Sequence, residues 1–497
     1  MMATVAHMPR VGIVGARGSV VPESGEYIPI ENPATGQVWA EAFESSAGHV
    51  DEVVTTAGQV FRETWRDMAP DERGRLVRRW AELIAERRDE LADLETDDVG
   101  HLRREALGDV DGGARWLTYY AGMADKIEGR SFAQYPDRVA YQAREPYGVV
   151  AGVNPFNGNP MMFGWKAGPA LIAGNCFVLK APEVAPISSF RMAELALEAG
   201  IPPGVVNVVT GRGEVTGRAL TEHPEIGMLV FTGSPEASRT VIAQSAATIT
   251  PLSLELGGKS AVILLEDADL DTAIPSILHS NFVKSGQSCA AGSRIFVPDA
   301  LYDEAVNRIE SLARSIRVGP PRDPASQMGA LISGRQLERV DSIVTSAVGQ
   351  GATRLAGGCR ADEVALGEGY FYRPTVLIDV TDDNIVASTE VFGPVASVLR
   401  YSDIDEVLAR ANGARLGLTA QIWGNDARAI QYLARNLEAG TVWVNTYRAI
   451  HPTIPFGGMK ESGYGRENGF DAIDLYTRSK AVVWDLNEER TLPYGAR

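Results

Sequence analysis

CFVLK, residues 176–180, is a short apolar run that ends on a lysine. VVAGVN (149–154), VVNVVTG (205–211) and MLVFTG (228–233) repeat its texture, and helix-length segments such as SSFRMAELALEAG (188–200) lie between them. Apolar runs alternating with helical segments imply βαβ units around a parallel sheet. A second such stretch starts at SAVILLEDADL (260–270) and continues through RIFVP (294–298), TVLIDV (375–380), SVLRY (397–401) and TVWVN (441–445). The expected fold class is therefore α/β in two layers, preceded by an amphipathic helical N-terminal part. There, from Pro70 to Val99, Leu76, Trp80, Leu83, Ile84, Leu91 and Leu94 recur at three- and four-residue steps among charges, the pattern of a surface helix that packs and does no chemistry. SFAQYPDRVAYQAREPYG (131–148) reads as an extended, polar, hairpin-like excursion, and KAVVWDLNEER (480–490) as an edge strand. Strand material exposed in this way commonly needs a partner.

A chain of 497 residues, 45% hydrophobic, exceeds what a single core supports, so two or three domains are expected. The formal charge of −17 is spread over mixed-sign segments, which disfavours nucleic acid and anionic membranes as partners and suits an enzyme of small molecules. Cys176, Cys289 and Cys359 are too few and too scattered for a disulfide framework or a zinc cluster, and the odd count suits a reducing compartment. The opening MMATVAHMPRVGIVGARG lacks a long apolar core behind a basic front, and no stretch approaches about eighteen uninterrupted apolar residues. A cytoplasmic protein without a metal site is expected.

Gly12, Gly15 and Gly18 in VGIVGARG invite a dinucleotide-fingerprint reading, but a proline lies just upstream and no helix follows, so it is rejected. VVNVVTGRGEVTGRAL (205–220) is better placed: Gly211, Gly213 and Gly217 follow a strand and open a helix, with the last spacing one residue too long. An ordinary glycine-bearing βα turn explains that stretch equally well. In FTGS (231–234), Ser234 can cap a helix and donate to an anion at its positive end. Lys180 and Glu183 follow a strand at its carboxyl end, where open α/β sheets bind ligands, although solvated surface charge is the commoner explanation. A carboxylate there accepts hydrogen bonds from a ribose diol and repels a 2′-phosphate.

LELGGKS (254–260) carries Glu255, and thirty-four positions on comes Cys289 in GQSCAAGSR (286–294). A lone cysteine is usually a small buried hydrophobe. Here Gly286, Gln287, Ser288, Ala290, Ala291 and Gly292 would keep the approach open and offer backbone N–H groups, as a nucleophile needs.

NPFN, GPALIAGNCFVLKAPE, FTGS, LELGGKS, GQSCAAGSR, EVFGPV and PFGGMKESGYGRE follow one another in the order and at the separations of the aldehyde dehydrogenase superfamily, and the resemblance extends over almost the whole chain. It implies the NAD(P)-dependent, non-CoA-acylating type, with a Rossmann-type NAD-binding domain (1–129 and 147–256), an α/β catalytic domain (257–461) and a small β oligomerisation element (130–146 and 476–497). Homodimers or homotetramers would follow. The implied chemistry is oxidation of an aldehyde to a carboxylic acid: Cys289 attacks the carbonyl, and the Asn157 amide with the Cys289 N–H holds the oxyanion. Hydride transfer then leaves a thioester that water hydrolyses with Glu255 as general base. Lys166 and Glu467 match positions supporting proton transfer from that base. For the cofactor, Asn154, Phe156, Lys180, Glu183, Gly213, Gly217, Gly233, Ser234, Gly257, Glu390 and Phe392 match binding positions; NAD is implied, with NADP possible.

Where many members place a large residue after the oxyanion asparagine, this chain has Gly158, then Asn159, with Pro160 displaced by one. That alters the expected shape of the substrate funnel and leaves room beside the carbonyl unless a neighbour fills it. A CoA-acylating reductase is disfavoured by Glu255, a non-catalytic crystallin-like protein by the intact set Asn157, Glu255 and Cys289, and a cysteine hydrolase by the lack of a histidine in a suitable motif. Arg448 and His451, in NTYRAIHPTIPFGG (445–458), could hold a substrate carboxylate or be exposed loop charges.

Overall fold

The structure, a computed structural model, describes residues 8–363 and 366–487. Residues 1–7 and 488–497, parts of the expected N-terminal domain and C-terminal element, lie outside the described residues.

The first sheet has eight strands. Its five central ones are parallel, in the order Val206–Val209, Cys176–Lys180, Val149–Val153, Ile226–Thr232 and Leu252–Glu255. In chain order this is third, second, first, fourth, fifth, so the winding reverses between Val149–Val153 and Ile226–Thr232. A crevice for ligand opens outside the carboxyl ends of strands at such a reversal. Asn154 follows one of these two strands, and Gly233 with Ser234 follows the other. VGIVGARG forms an antiparallel hairpin, Ile13–Gly15 with Gly18–Val20, on one edge, and Gly463–Tyr464 closes the other.

The second sheet has seven strands, in the order Thr353–Ala356, Thr375–Ile378, Val395–Tyr401, Arg294–Pro298, Ala261–Leu264, Thr419–Trp423 and Thr441–Val444; all but the first run parallel. A third, small sheet pairs Arg138–Pro146 antiparallel with both Arg130–Phe132 and Thr477–Asp485. Along one of its faces Val139 lies opposite Trp484 and Tyr141 opposite Val482, an apolar stripe in which Trp484 is 64% exposed.

Two expectations need correction. The N-terminal part is not only helical: Arg10–Val11, Tyr27–Asn32 and Gln37–Phe43 form a separate sheet ahead of the helices. The helix expected from Pro70 to Val99 is two, Pro70–Glu86 and Arg88–Val99, broken at Arg87 where ψ turns to 22°. The break redirects the second helix, so that Glu95 and Asp98 point inward and not to solvent. Glu95 accepts from Ser188 Oγ at 2.5 Å, Asp98 accepts from Ile187 N at 2.8 Å, and burial pushes the Glu95 carboxyl up to about 8.

Candidate active site

The link between the two large sheets places the candidate residues. Leu252–Glu255 ends the first sheet and Ala261 begins a strand of the second, where it pairs with Arg294. Cys289 stands as far before Arg294 as Leu256 does before Ala261, so the two approach loops run side by side. They touch at Gly258, where a Cβ would lie 2.2 Å from the Cys289 carbonyl oxygen. Residues distant in sequence thus meet because the register of two parallel strands demands it.

Cys289 is half-buried, but Gly286, Gln287, Ser288, Ala290 and Gly292 around it are buried. Their smallness serves close packing and not an open approach: a Cβ on Gly286 would lie 2.1 Å from the Gly393 carbonyl, and one on Gly292 would lie 2.4 Å from Val262. The loop is entered through three consecutive left-handed residues, Lys284, Ser285 and Gly286, with φ of 53°, 56° and 72°. Left-handed backbone at non-glycine residues is costly and persists where surrounding contacts over-determine it.

Those contacts centre on Lys284, which the motifs did not reveal. Its backbone N–H donates to Glu105 at 2.8 Å, and its buried ammonium donates to both Asp109 oxygens, at 2.8 and 2.5 Å, and to the Asn157 carbonyl at 2.7 Å. Asn157 is pinned from its other end as well, since Nδ2 donates to the Gln287 carbonyl at 2.8 Å. One N–H of the Asn157 amide remains for a further acceptor. The room expected at Gly158 is bounded by Lys284 and two methionines: a Cβ there would be in ordinary van der Waals contact with Lys284 Nζ at 3.5 Å and with the Met161 and Met162 methyls at 3.7 Å. Asn159 turns into the protein and bonds to Ser188, Ser189 and the Ala185 carbonyl.

Burial pushes the Cys289 thiol up to about 12; the Glu390 and Glu255 carboxylates raise it further, whereas Arg448 and the cysteine's own backbone N–H oppose the rise. Both Glu255 oxygens are buried without a hydrogen-bond partner, and burial followed by the Glu467 charge holds its carboxyl well above the ordinary range. Behind it, Lys166 Nζ donates to Glu467 at 2.9 Å and to Thr232 Oγ1 at 2.7 Å, all within the core. An orphaned buried carboxylate next to a buried ion pair is poised to exchange a proton.

The positions expected for the cofactor line the carboxyl ends of the first sheet. Lys180 ends its strand buried, its amine pushed down to about 8 by desolvation, and makes no hydrogen bond among the described residues. Glu183 is half-buried and accepts from the Gly213 N–H at 3.0 Å. Gly211 needs its positive φ of 142°, and Gly213–Gly217 is one wide helical turn continued by Arg218–Thr221. Ser234 caps the helix Pro235–Ser245 by accepting from Ala237 N at 3.2 Å, and Gly233 is required because a Cβ would meet the Phe231 ring at 2.5 Å. Asn154 donates to Asn159, and its carbonyl oxygen is left buried and unpaired. Phe156 meets Phe392 edge-to-face at 5.8 Å. Glu390 accepts from Gly258 N at 3.0 Å and lies against Gly257, where a Cβ would stand 2.1 Å from its Oε2; burial pushes its carboxyl up to about 7. Lys259, absent from the expected set, has a buried amine without a partner, pushed down to about 7 by desolvation.

A doubly wound first sheet, a cysteine loop beside a buried carboxylate and a row of polar groups at the strand ends suit an enzyme that binds a nucleotide at the switch point of the sheet. More narrowly, the chain belongs to the aldehyde dehydrogenase family, which residues 20–482 match. It is similar to aldehyde dehydrogenase family 2 member B4, mitochondrial, of Arabidopsis thaliana, 40% identical over 94% of this chain and 86% of that one. It also resembles an aldehyde dehydrogenase from Bacillus cereus solved with NAD+, 39% identical over 96% of this chain and 97% of that one, TM-score 0.94. A third relative is 3,6-anhydro-L-galactose dehydrogenase in complex with NADP, 32% identical over 96% of this chain and all of that one, TM-score 0.93. The protein is thus an aldehyde dehydrogenase, an enzyme that oxidises an aldehyde. Among the described residues no helix is long and apolar enough to cross a membrane.

Proposed function

We propose that the reaction runs through a covalent acyl-cysteine on Cys289, with Glu255 as general base and Asn157 in the oxyanion hole. The observation carrying this reading is a half-buried thiol whose loop is tied to the Asn157 amide and whose sulfur feels the charge of a buried carboxylate, Glu255, that has no hydrogen-bond partner. Cys289 attacks the aldehyde carbon, its proton passing to Glu255, and the free Asn157 N–H with the Cys289 backbone N–H receives the charge developing on oxygen. The chemistry that NAD(P) would supply there is acceptance of a hydride from that carbon, which would leave a thioester on Cys289. Glu255 first passes the thiol's proton toward the Glu467–Lys166 pair; water then attacks the thioester carbonyl, Glu255 takes the water's proton, and the carbon–sulfur bond breaks to release the acid and leave Cys289 as thiolate. Glu255 returns to its starting state by passing protons toward the Glu467–Lys166 pair.

The residues present fit the cofactor. Lys180, an unpartnered buried amine at a strand end, and Glu183 suit ribose hydroxyls; Gly213, Gly217, Gly233 and Ser234 offer close backbone and a helix start to the adenine and pyrophosphate side; Asn154, Phe156, Gly257, Glu390 and Phe392 would hold the nicotinamide side.

The two large sheets and the small one formed by Arg130–Phe132, Arg138–Pro146 and Thr477–Asp485 support a division into an NAD-binding domain, a catalytic domain from about residue 257 and an oligomerisation element, whose stripe of exposed Val139, Tyr141 and Trp484 with half-buried Val482 suits pairing with a second copy in a dimer or tetramer.

The test is rapid mixing with an aldehyde and NAD+. Glu255→Gln should release a burst of NADH followed by little steady-state turnover, while Cys289→Ala should bind NAD+ and give no burst. Substantial turnover by Cys289→Ala would overturn the covalent route.

A further inference from the structure

A cavity of about 640 Å³ opens beside the candidate active site, between the helices Arg103–Ala121 and Leu270–Phe282 and the loop carrying Arg448. Its walls are apolar where Met161, Leu278, Phe282 and Ile450 line it. Its charges are unbalanced: three arginines and one lysine face two carboxylates, in a chain whose net charge is −17.

Most of these charges are already committed. Lys284 and Asp109 neutralise one another, and Glu105 accepts from the backbone N–H groups of Leu102 and Lys284. Arg104 donates to the Ser326 carbonyl, and Arg115 stands exposed at the mouth. His279, also lining the cavity, is held below the ordinary histidine range by burial and is therefore neutral near pH 7. Arg448 is different. Its half-buried guanidinium has no hydrogen bond or ion pair among the described residues, its backbone is left-handed at φ 52°, and its charge is felt at the Cys289 sulfur. Burial works against its charge and the nearby Tyr447, Asp109 and Glu105 favour it, but both carboxylates are hydrogen-bonded to other groups, which leaves the planar fork of Arg448 to match a ligand carboxylate in two parallel hydrogen bonds.

We propose that the substrates are aldehydes with an apolar body and a carboxylate at the far end, and that Arg448 binds that carboxylate and sets this specificity. This rests on the aldehyde-oxidising reading above. The apolar walls take the body while the guanidinium takes the charge, an arrangement that selects against the neutral counterpart by leaving Arg448 unpaired.

The experiment compares kcat/KM for pairs differing only in that charge: 4-carboxybenzaldehyde against its methyl ester, and ω-carboxy aliphatic aldehydes of graded length against theirs. The wild type should favour the acid about ten- to a hundredfold, the span expected of hydrogen bonding to a charged group. Arg448→Met should bring the acid-to-ester ratio close to one, mainly through KM for the acid, and Arg448→Lys should restore part of it; thermal midpoints show that each variant is folded. A wild-type ratio near one, or a ratio that survives in a folded Arg448→Met, overturns the proposal while leaving aldehyde oxidation intact. Failure of the wild type to reduce NAD+ with any member of either series would instead overturn the underlying reading, and this proposal with it.

Discussion

Replacing Lys284 by methionine keeps the length of the side chain and removes an ammonium that serves three acceptors. Asp109 accepts from it at 2.8 and 2.5 Å and is 3% exposed, so the variant strands a buried carboxylate. Breaking a buried pair from one side costs about 3–5 kcal/mol, whereas removing both charges together is often close to neutral. Lys284→Met alone should therefore lower the denaturation midpoint strongly, and adding Asp109→Asn should recover most of it, with a coupling between the two of at least about 2 kcal/mol. Turnover should behave differently. The third acceptor is the Asn157 carbonyl at 2.7 Å, and no substitution at Asp109 replaces that bond. Displacing a reacting or stabilising group by about 1 Å can cost a hundredfold, so kcat in the double variant should remain roughly ten- to a hundredfold below wild type despite restored stability. The assay pairs chemical denaturation with steady-state and burst kinetics on the four members of the cycle. If the double variant regains wild-type kcat, Lys284 is a packing charge and does not position the asparagine.

Because burial and the Glu467 charge hold Glu255 well above the ordinary carboxylate range, its base form is gained only as pH rises, so deacylation-limited kcat should climb beyond the usual titration of a glutamate. Glu467→Gln removes a raising charge and should move that limb to lower pH; a limb that stays in place would refute the coupling. With its thiol held at about 12, Cys289 is only about one part in ten thousand thiolate at pH 8, and Glu390→Gln should speed its alkylation by iodoacetamide, read at the Cys289 peptide because Cys359 is exposed. Glu183, held in place by the Gly213 N–H, should make kcat/KM with NAD exceed that with NADP, and Glu183→Gln should narrow the gap; a wild-type preference for NADP would refute the ribose assignment. Trp484→Asp on the exposed stripe should shift the sedimenting species toward a smaller assembly, whereas an unchanged assembly would mean the small sheet is not the contact.

The parallel sheets were legible because buried strands leave a local signature. VVNVVTG, CFVLK, VVAGVN and MLVFTG occupy successive strands of the first sheet, and RIFVP and SVLRY pair in the second. What local periodicity could not carry was direction. Leu91 continues the apolar rhythm of the preceding helix, so residues 70–99 read as one element, yet at Arg87 the axis turns and Glu95 and Asp98 face inward. The N-terminal strands were missed for a related reason: Tyr27–Asn32 and Gln37–Phe43 contain Pro29, Glu31, Gln37 and Glu41 and lack the continuous apolar run of the central strands.

The candidate site divides along the same physical line. Glu255 ends a strand just before one glycine-bearing loop and Cys289 stands in another because two strands in register force those approach loops together, and closely packed backbone leaves a compositional mark: glycine at 258, 286 and 292, where a Cβ would collide. Lys284 and Asp109 leave none. They lie 175 positions apart, Asp109 on a helix and Lys284 in a left-handed turn that carries no glycine at its own position to announce it. Nothing near Asp109 distinguishes it from the solvated carboxylates of a charged helix, and Lys284 reads as one more polar residue before a cysteine loop. Long side chains reach across elements without altering local composition, whereas close backbone contacts select for glycine. The groups that touch backbone could accordingly be read one stretch at a time, while those that position it emerge only once both segments are folded together. By the same logic Arg448 is informative in the structure and ambiguous in the sequence: an arginine in a loop is ordinary, and only the cavity around it, where Asp109 and Glu105 are bonded to other groups, shows a half-buried guanidinium without a hydrogen-bonded partner among the described residues.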